Sequence, residues 1–136
     1  TSCRNSVNCF LNYQSGSDRL YFTESTKMRY ITTPDNTSTA TLGTLFTLGS
    51  SSFLNYAFTP DGAQLWYFKA TGGLYCYDIS SGKSWCDNTT DHFSIRTAAG
   101  FVVTIGANQI TFKDNQTMFV STYGGEILQF DLPTTP

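Results

Sequence analysis

The sequence predicts an all-β chain built from three copies of one antiparallel unit. Three observations lead there. Phe10-Leu11-Asn12-Tyr13 returns letter for letter as Phe53-Leu54-Asn55-Tyr56. Each of these runs leads through a polar turn into a second apolar run: Ser15-Gly16-Ser17-Asp18 into Leu20-Tyr21-Phe22, and Thr59-Pro60-Asp61-Gly62 into Leu65-Trp66-Tyr67-Phe68. A more diverged copy reads Ile110-Thr111-Phe112, Lys113-Asp114-Asn115, Met118-Phe119-Val120. No segment of helix length carries a 3.6-residue apolar period, and Gly, Thr and Asn interrupt throughout.

The inner spacing repeats as well. Leu65 to Asp78 and Met118 to Asp131 are the same interval, and Leu20 to Thr33 matches it, with Thr33-Pro34 in place of the Asp. Gly72-Gly73 in the middle copy answers Gly124-Gly125 in the last. The chain therefore reads as one domain, 1–136, with approximate repeats 10–52, 53–100 and 101–132 and a Thr/Pro tail at 133–136. In the middle copy, strand A is expected at 53–58 and strand B at 64–70. Strand C is expected at 74–79, and strand D from Ser84 onward. Pro60 presets φ for the first turn and Gly62 tolerates positive φ. Gly72-Gly73 and Ser80-Ser81-Gly82-Lys83 supply the next two turns.

Four antiparallel strands in a repeat of about 45 residues make one blade of a β-propeller. Phe58-Thr59-Pro60-Asp61-Gly62, an apolar strand, a Gly turn and then Leu74-Tyr75-Cys76-Tyr77-Asp78-Ile79-Ser80-Ser81-Gly82-Lys83 resembles blades of YVTN-type and WD-repeat propellers. The resemblance covers residues 53–86, extends to 107–132 and holds more loosely over 10–48. The Trp-Asp pair of WD repeats is replaced by Tyr77-Asp78 and Phe130-Asp131. What the resemblance implies is the fold and not a subfamily. Propellers close with four to eight blades, so three blades make an incomplete ring. Self-association would complete it, as a closed homo-oligomer or a filament, through blade faces or strand exchange; so would the rest of a longer chain. A β-sandwich is the alternative architecture, since about ten short strands suit it too.

Cys3, Cys9, Cys76 and Cys86 are an even set at close pairwise spacings, which predicts two disulfides rather than a zinc site. Cys76 and Cys86 would face each other across the C–D hairpin. That bridge closes a loop of about 11 residues and contributes roughly 2–3 kcal/mol in the chain-entropy model. Cys3–Cys9 would staple the N-terminal segment. Sequons stand at Asn36, Asn88 and Asn115, each in a turn or loop segment. Together with the paired cysteines they point to a secreted glycoprotein. No signal peptide opens the sequence, so a secreted form would be a mature or excised chain, and the Thr/Pro end resembles the start of a stalk.

Charged residues make up 13% of the chain against a usual share of about 25%. Net charge is −2 with no basic cluster, which removes the driving force for nucleic acid or an anionic membrane surface. No apolar run reaches the ~20 residues of a membrane span.

Catalytic sets are poorly represented. The only histidine, His92, lies in a polar stretch beside Asp91 and reads as a solvated loop residue rather than a triad base. Asp18, Asp61, Asp87 and Asp114 read as turn formers bonded to their own backbone, and Asp78 with Asp131 as braces at one recurring blade position. No metal site and no cofactor are expected. Trp66, Tyr75, Trp85 and Tyr123 are the candidate ligand-binding residues, because the CH faces of a sugar stack on aromatic rings. Trp85, on an outermost strand D, is the strongest of them. The expected function is a non-enzymatic secreted scaffold or protein-binding unit that self-assembles. A carbohydrate-binding lectin is the alternative, and a hydrolase or lactonase the second alternative.

Overall fold

The computed structural model describes residues 10–71, 73–86, 109–121 and 127–133. These residues form ten strands and no helix, arranged in three antiparallel sheets. The chain divides into two compact units, Thr1–Phe53 and Leu54–Pro136.

The first unit holds a four-stranded meander of β1 (Asn12–Gln14), β2 (Arg19–Glu24), β3 (Lys27–Thr32) and β4 (Leu42–Thr47). Its turns are tight because residues other than glycine accept the left-handed region: Asp18 at φ 49° and Ser25 at φ 54°. Tyr13 Oη donates to Asp18 Oδ1 at 2.6 Å across the first turn, and this bond raises the phenol's pKa above its ordinary value. Glu24 pairs with Lys27, so β2 and β3 are joined by Ser25-Thr26 alone. The register then sorts side chains by face. Tyr21, Thr23 and Met28 lie on one face and are buried. On the same face, Arg19 stands 4.0 Å from the centroid of the Tyr30 ring. Gly43 lies opposite Tyr30, where any Cβ would overlap the phenol ring. The other face carries the row Tyr13, Leu20, Ile31 and Leu42, with Phe22 beside it. None of these five is buried, and Tyr13 and Leu42 are 53% and 57% exposed.

In the second unit, β5 (Phe53–Phe58), β6 (Gln64–Lys69) and β7 (Leu74–Asp78) form one sheet; Phe53 itself is counted with the first unit. β8 (Gln109–Phe112), β9 (Thr117–Ser121) and β10 (Ile127–Asp131) form another. Alternation decides which faces meet. Trp66, Phe68, Leu74 and Cys76 from the β5–β7 sheet pack with Met118, Val120, Leu128 and Phe130 from the β8–β10 sheet. Each such side chain contributes roughly 1.5–3 kcal/mol when fully buried. The opposite face of the β8–β10 sheet, the third of the chain, is polar. Gln109, Thr111, Gln129 and Asp131 are exposed there, and Ile127 and Phe119 are its only apolar side chains among the described residues.

The expected strands A, B and C of the middle repeat are present as β5, β6 and β7. Of the expected strand D only residues 84–86 are described; the ladder there ends with the single bridge Asp78↔Lys83, Trp85-Cys86 form a turn, and the rest of that strand lies outside the described residues. The expected disulfide nevertheless forms between Cys76 and Cys86, with Cα atoms 5.4 Å apart and both sulfurs in the core. A turn brings Cys86 over the sheet where a facing strand was expected to do so. Among the described residues the four-stranded unit is the first repeat, the one whose sequence resemblance is loosest. Cys3, Cys9, Asn88, His92 and Tyr123 lie outside the described residues.

Candidate functional site

A cavity of about 400 Å³ opens at the turn end of the second unit. Three turns build it. The first is Thr59-Pro60-Asp61-Gly62, closed by Gly62 N–H to Thr59 O at 2.8 Å with Gly62 at φ 73°. Within it Asp61 Oδ1 accepts from Thr59 Oγ1 at 2.8 Å and from Ala63 N at 2.9 Å. Those bonds lock the carboxylate as a turn former and leave Oδ2 without a described partner. The second turn follows β7. Asp78 Oδ2 accepts from Trp85 Nε1 at 2.9 Å, Ser81 N at 3.2 Å and Ser80 Oγ at 3.2 Å. Burial alone would raise this carboxyl's pKa and is the largest single influence. The bonds from Ser81, Trp85 and Ser80 together outweigh it, and the pKa lies below the ordinary carboxylate value.

The third turn joins β8 to β9 and presents Asn115, which is exposed. Its Oδ1 accepts from Asp61 N–H at 3.0 Å. A second tie runs beneath: Gln64 Nε2 donates to Pro133 O at 2.7 Å while its Oε1 accepts from Trp66 Nε1 at 3.1 Å. The two sheets of this unit are thus joined by apolar packing below and by polar bonds at the rim. Asp61, Gln64, Asp78, Ser80, Trp85 and Asn115 all line the cavity. Chemically it offers carboxylate acceptors, an amide donor, hydroxyls and part of an indole. Those groups suit a neutral polyhydroxylated ligand. Among the described residues no three of His, Cys, Asp and Glu come together as a metal-binding group.

The structure separates the four candidate aromatics. Trp66 is fully buried in the core, which corrects its reading as a stacking platform: no face of its ring reaches solvent. Tyr75 stacks on Tyr67 with centroids 5.7 Å apart, and Lys69 Nζ sits 4.0 Å over its ring, away from the cavity. Trp85 is partly exposed and lines the cavity, but its indole N–H is committed to Asp78. Asp78 is a brace, as its recurring position suggests; its counterpart Asp131 is exposed at the end of β10. The roles of Asp61 and Asn115 escape sequence reasoning as a pair, because 54 residues separate them. Only the parallel placement of two A–B turns in neighbouring repeats could have joined them.

Comparison with known proteins bears on the fold. A propeller chain in the crystal structure of a mitotic checkpoint complex superposes with a TM-score of 0.59 at 14% identity, covering 90% of this chain and 32% of that one. This chain folds as propeller blades. The match decides against the β-sandwich, and at this identity it carries fold alone. The blades here span about a third of the length of the propeller chain they match. No protein-family model and no curated protein matches the sequence.

Proposed function

We propose that this chain is a non-enzymatic, secreted propeller module that works by binding protein surfaces, and that its first partner is a second copy of itself. The observation that supports this reading is the open face of the first sheet. Blades stack through apolar faces, and Tyr13, Leu20, Phe22, Ile31 and Leu42 form such a face without being buried. Leu11, next to β1, is 68% exposed and extends it. Apolar surface of this kind favours burial at roughly 25 cal/mol per Å². The face of the β8–β10 sheet that points away from its core is polar, so joining it to this face would set polar against apolar. Two first sheets facing each other across a two-fold axis match better. The buried Cys76–Cys86 disulfide fits an oxidising, extracellular setting. Light scattering tests the reading: it predicts a mass above the 15.1 kDa of one chain, and a concentration-independent single-chain mass refutes it.

The rim cavity supports a second reading, recognition of a saccharide beside Trp85. Titration with N-acetylglucosamine and common hexoses, followed by Trp fluorescence, tests it; an unchanged signal across the panel removes it.

A further inference from the structure

We infer that Asn115 is an N-glycosylation site and that the first N-acetylglucosamine attached there sits in the rim cavity against Trp85. The inference rests on the saccharide reading of the cavity and names its occupant as the chain's own glycan. Three independent features converge on it. Asn115-Gln116-Thr117 is a sequon on an exposed turn, where a glycan is tolerated. The Asn115 carboxamide is oriented by its Oδ1, which accepts the Asp61 N–H at 3.0 Å. Its Nδ2, the atom that bears the sugar, has no described partner. Finally, the same residue forms part of the wall of a cavity of about 400 Å³ that holds a partly exposed indole and Asp61 Oδ2, which has no partner among the described residues. A sugar ring entering from Asn115 meets an aromatic surface for its CH groups and a carboxylate oxygen for a hydroxyl or acetamide N–H.

The chemistry balances with a lipid-linked glycosyl pyrophosphate as donor and a membrane oligosaccharyl transferase as catalyst. Asn115 Nδ2 attacks the anomeric carbon, the C1–O bond breaks, and the pyrophosphate leaves with the electron pair. Nδ2 gives up one proton to the transferase's base. Oδ1 keeps its lone pairs, so the bond from Asp61 N–H survives the modification. Asn36 gives a contrast. It too is exposed, but its Oδ1 is turned back to Ser38 N–H at 3.1 Å, and it is not among the residues lining the cavity.

The test is secretion of the full chain from an animal-cell host, with site-resolved mass spectrometry and NMR of the glycan. Occupied Asn115 is expected, with the resonances of its first sugar shifted upfield by the indole ring current relative to the same protein denatured. The Thr117→Ala variant, which removes the sequon and leaves the cavity walls in place, should melt at a lower temperature than the glycosylated chain. An unmodified Asn115 overturns the inference, as does a modified Asn115 whose sugar resonances do not change on denaturation. Free N-acetylglucosamine offered to the Thr117→Ala protein separates the two readings. If it perturbs Trp85 while Asn115 stays unmodified in the native sequence, the cavity is a saccharide site and only the intramolecular occupant is wrong. If it does nothing and the attached sugar is unshifted, both readings fall.

Discussion

Asp78 shows how one side chain can hold a site together. Its carboxylate gathers the amide of Ser81, the hydroxyl of Ser80 and the indole of Trp85, and it is buried while doing so. Replacing it with Ala leaves those donors unpaired and should cost about 1–3 kcal/mol. The pH dependence follows from the lowered pKa. A carboxylate held below its unfolded value contributes stability that is fully present above about pH 4 and is lost as pH falls through the folded value. The melting-temperature gap between native protein and Asp78→Ala should therefore be full at neutral pH and shrink below about pH 4. A gap that stays constant to pH 2 would show that the bonds do not depend on the charge. The bracing role was legible in the sequence because Asp78 recurs at Asp131. The identity of the braced partner was not: Trp85 is read as an outward platform only if a strand D is assumed.

At the scale of elements, short-range chemistry was the legible part. Thr59-Pro60-Asp61-Gly62 specifies its own turn, and β5 begins and ends where the apolar run does. Of strand D only Ser84-Trp85-Cys86 is described, and it follows a turn that the disulfide closes without a ladder. Cys86 is fully buried, so the bridge is both a crosslink and a core contact. Cys76→Ser with Cys86→Ser should lose at least the roughly 2–3 kcal/mol of loop-closure stabilisation, read as a lower denaturant midpoint. A second prediction belongs to the first sheet. Gly43→Ala places a methyl group into the Tyr30 ring, and displacing that ring should cost roughly 1–3 kcal/mol. The double change Gly43→Ala with Tyr30→Ala should recover part of the loss; no recovery would show that Tyr30 is not the obstacle. Nothing in the sequence marks Gly43, because its constraint comes from β3 across the ladder rather than from its own neighbours.

The three-fold repeat was legible across the whole molecule because each copy must solve the same burial problem with similar letters. What the copies do on their free faces was not, since a strand's two faces alternate and only the register says which is covered. That register gives one face of the first sheet an apolar row beside the Glu24–Arg29 pair, and the face of the third sheet away from its core a polar character. Tyr13→Asp with Leu42→Asp changes the first, and Thr111→Asp with Gln129→Asp changes the second; all four side chains are exposed, and the one described side-chain bond that either pair removes is Tyr13 Oη to Asp18 across the first turn, so circular dichroism checks the fold of each variant first. The most direct measurement is sedimentation velocity over a dilution series for these two variants and the native chain. The native chain and the Thr111/Gln129 variant should sediment as the same multimer, and the Tyr13/Leu42 variant as a single 15.1 kDa chain. A native protein that sediments as one chain at every concentration, or a multimer that survives Tyr13→Asp with Leu42→Asp, would contradict the account.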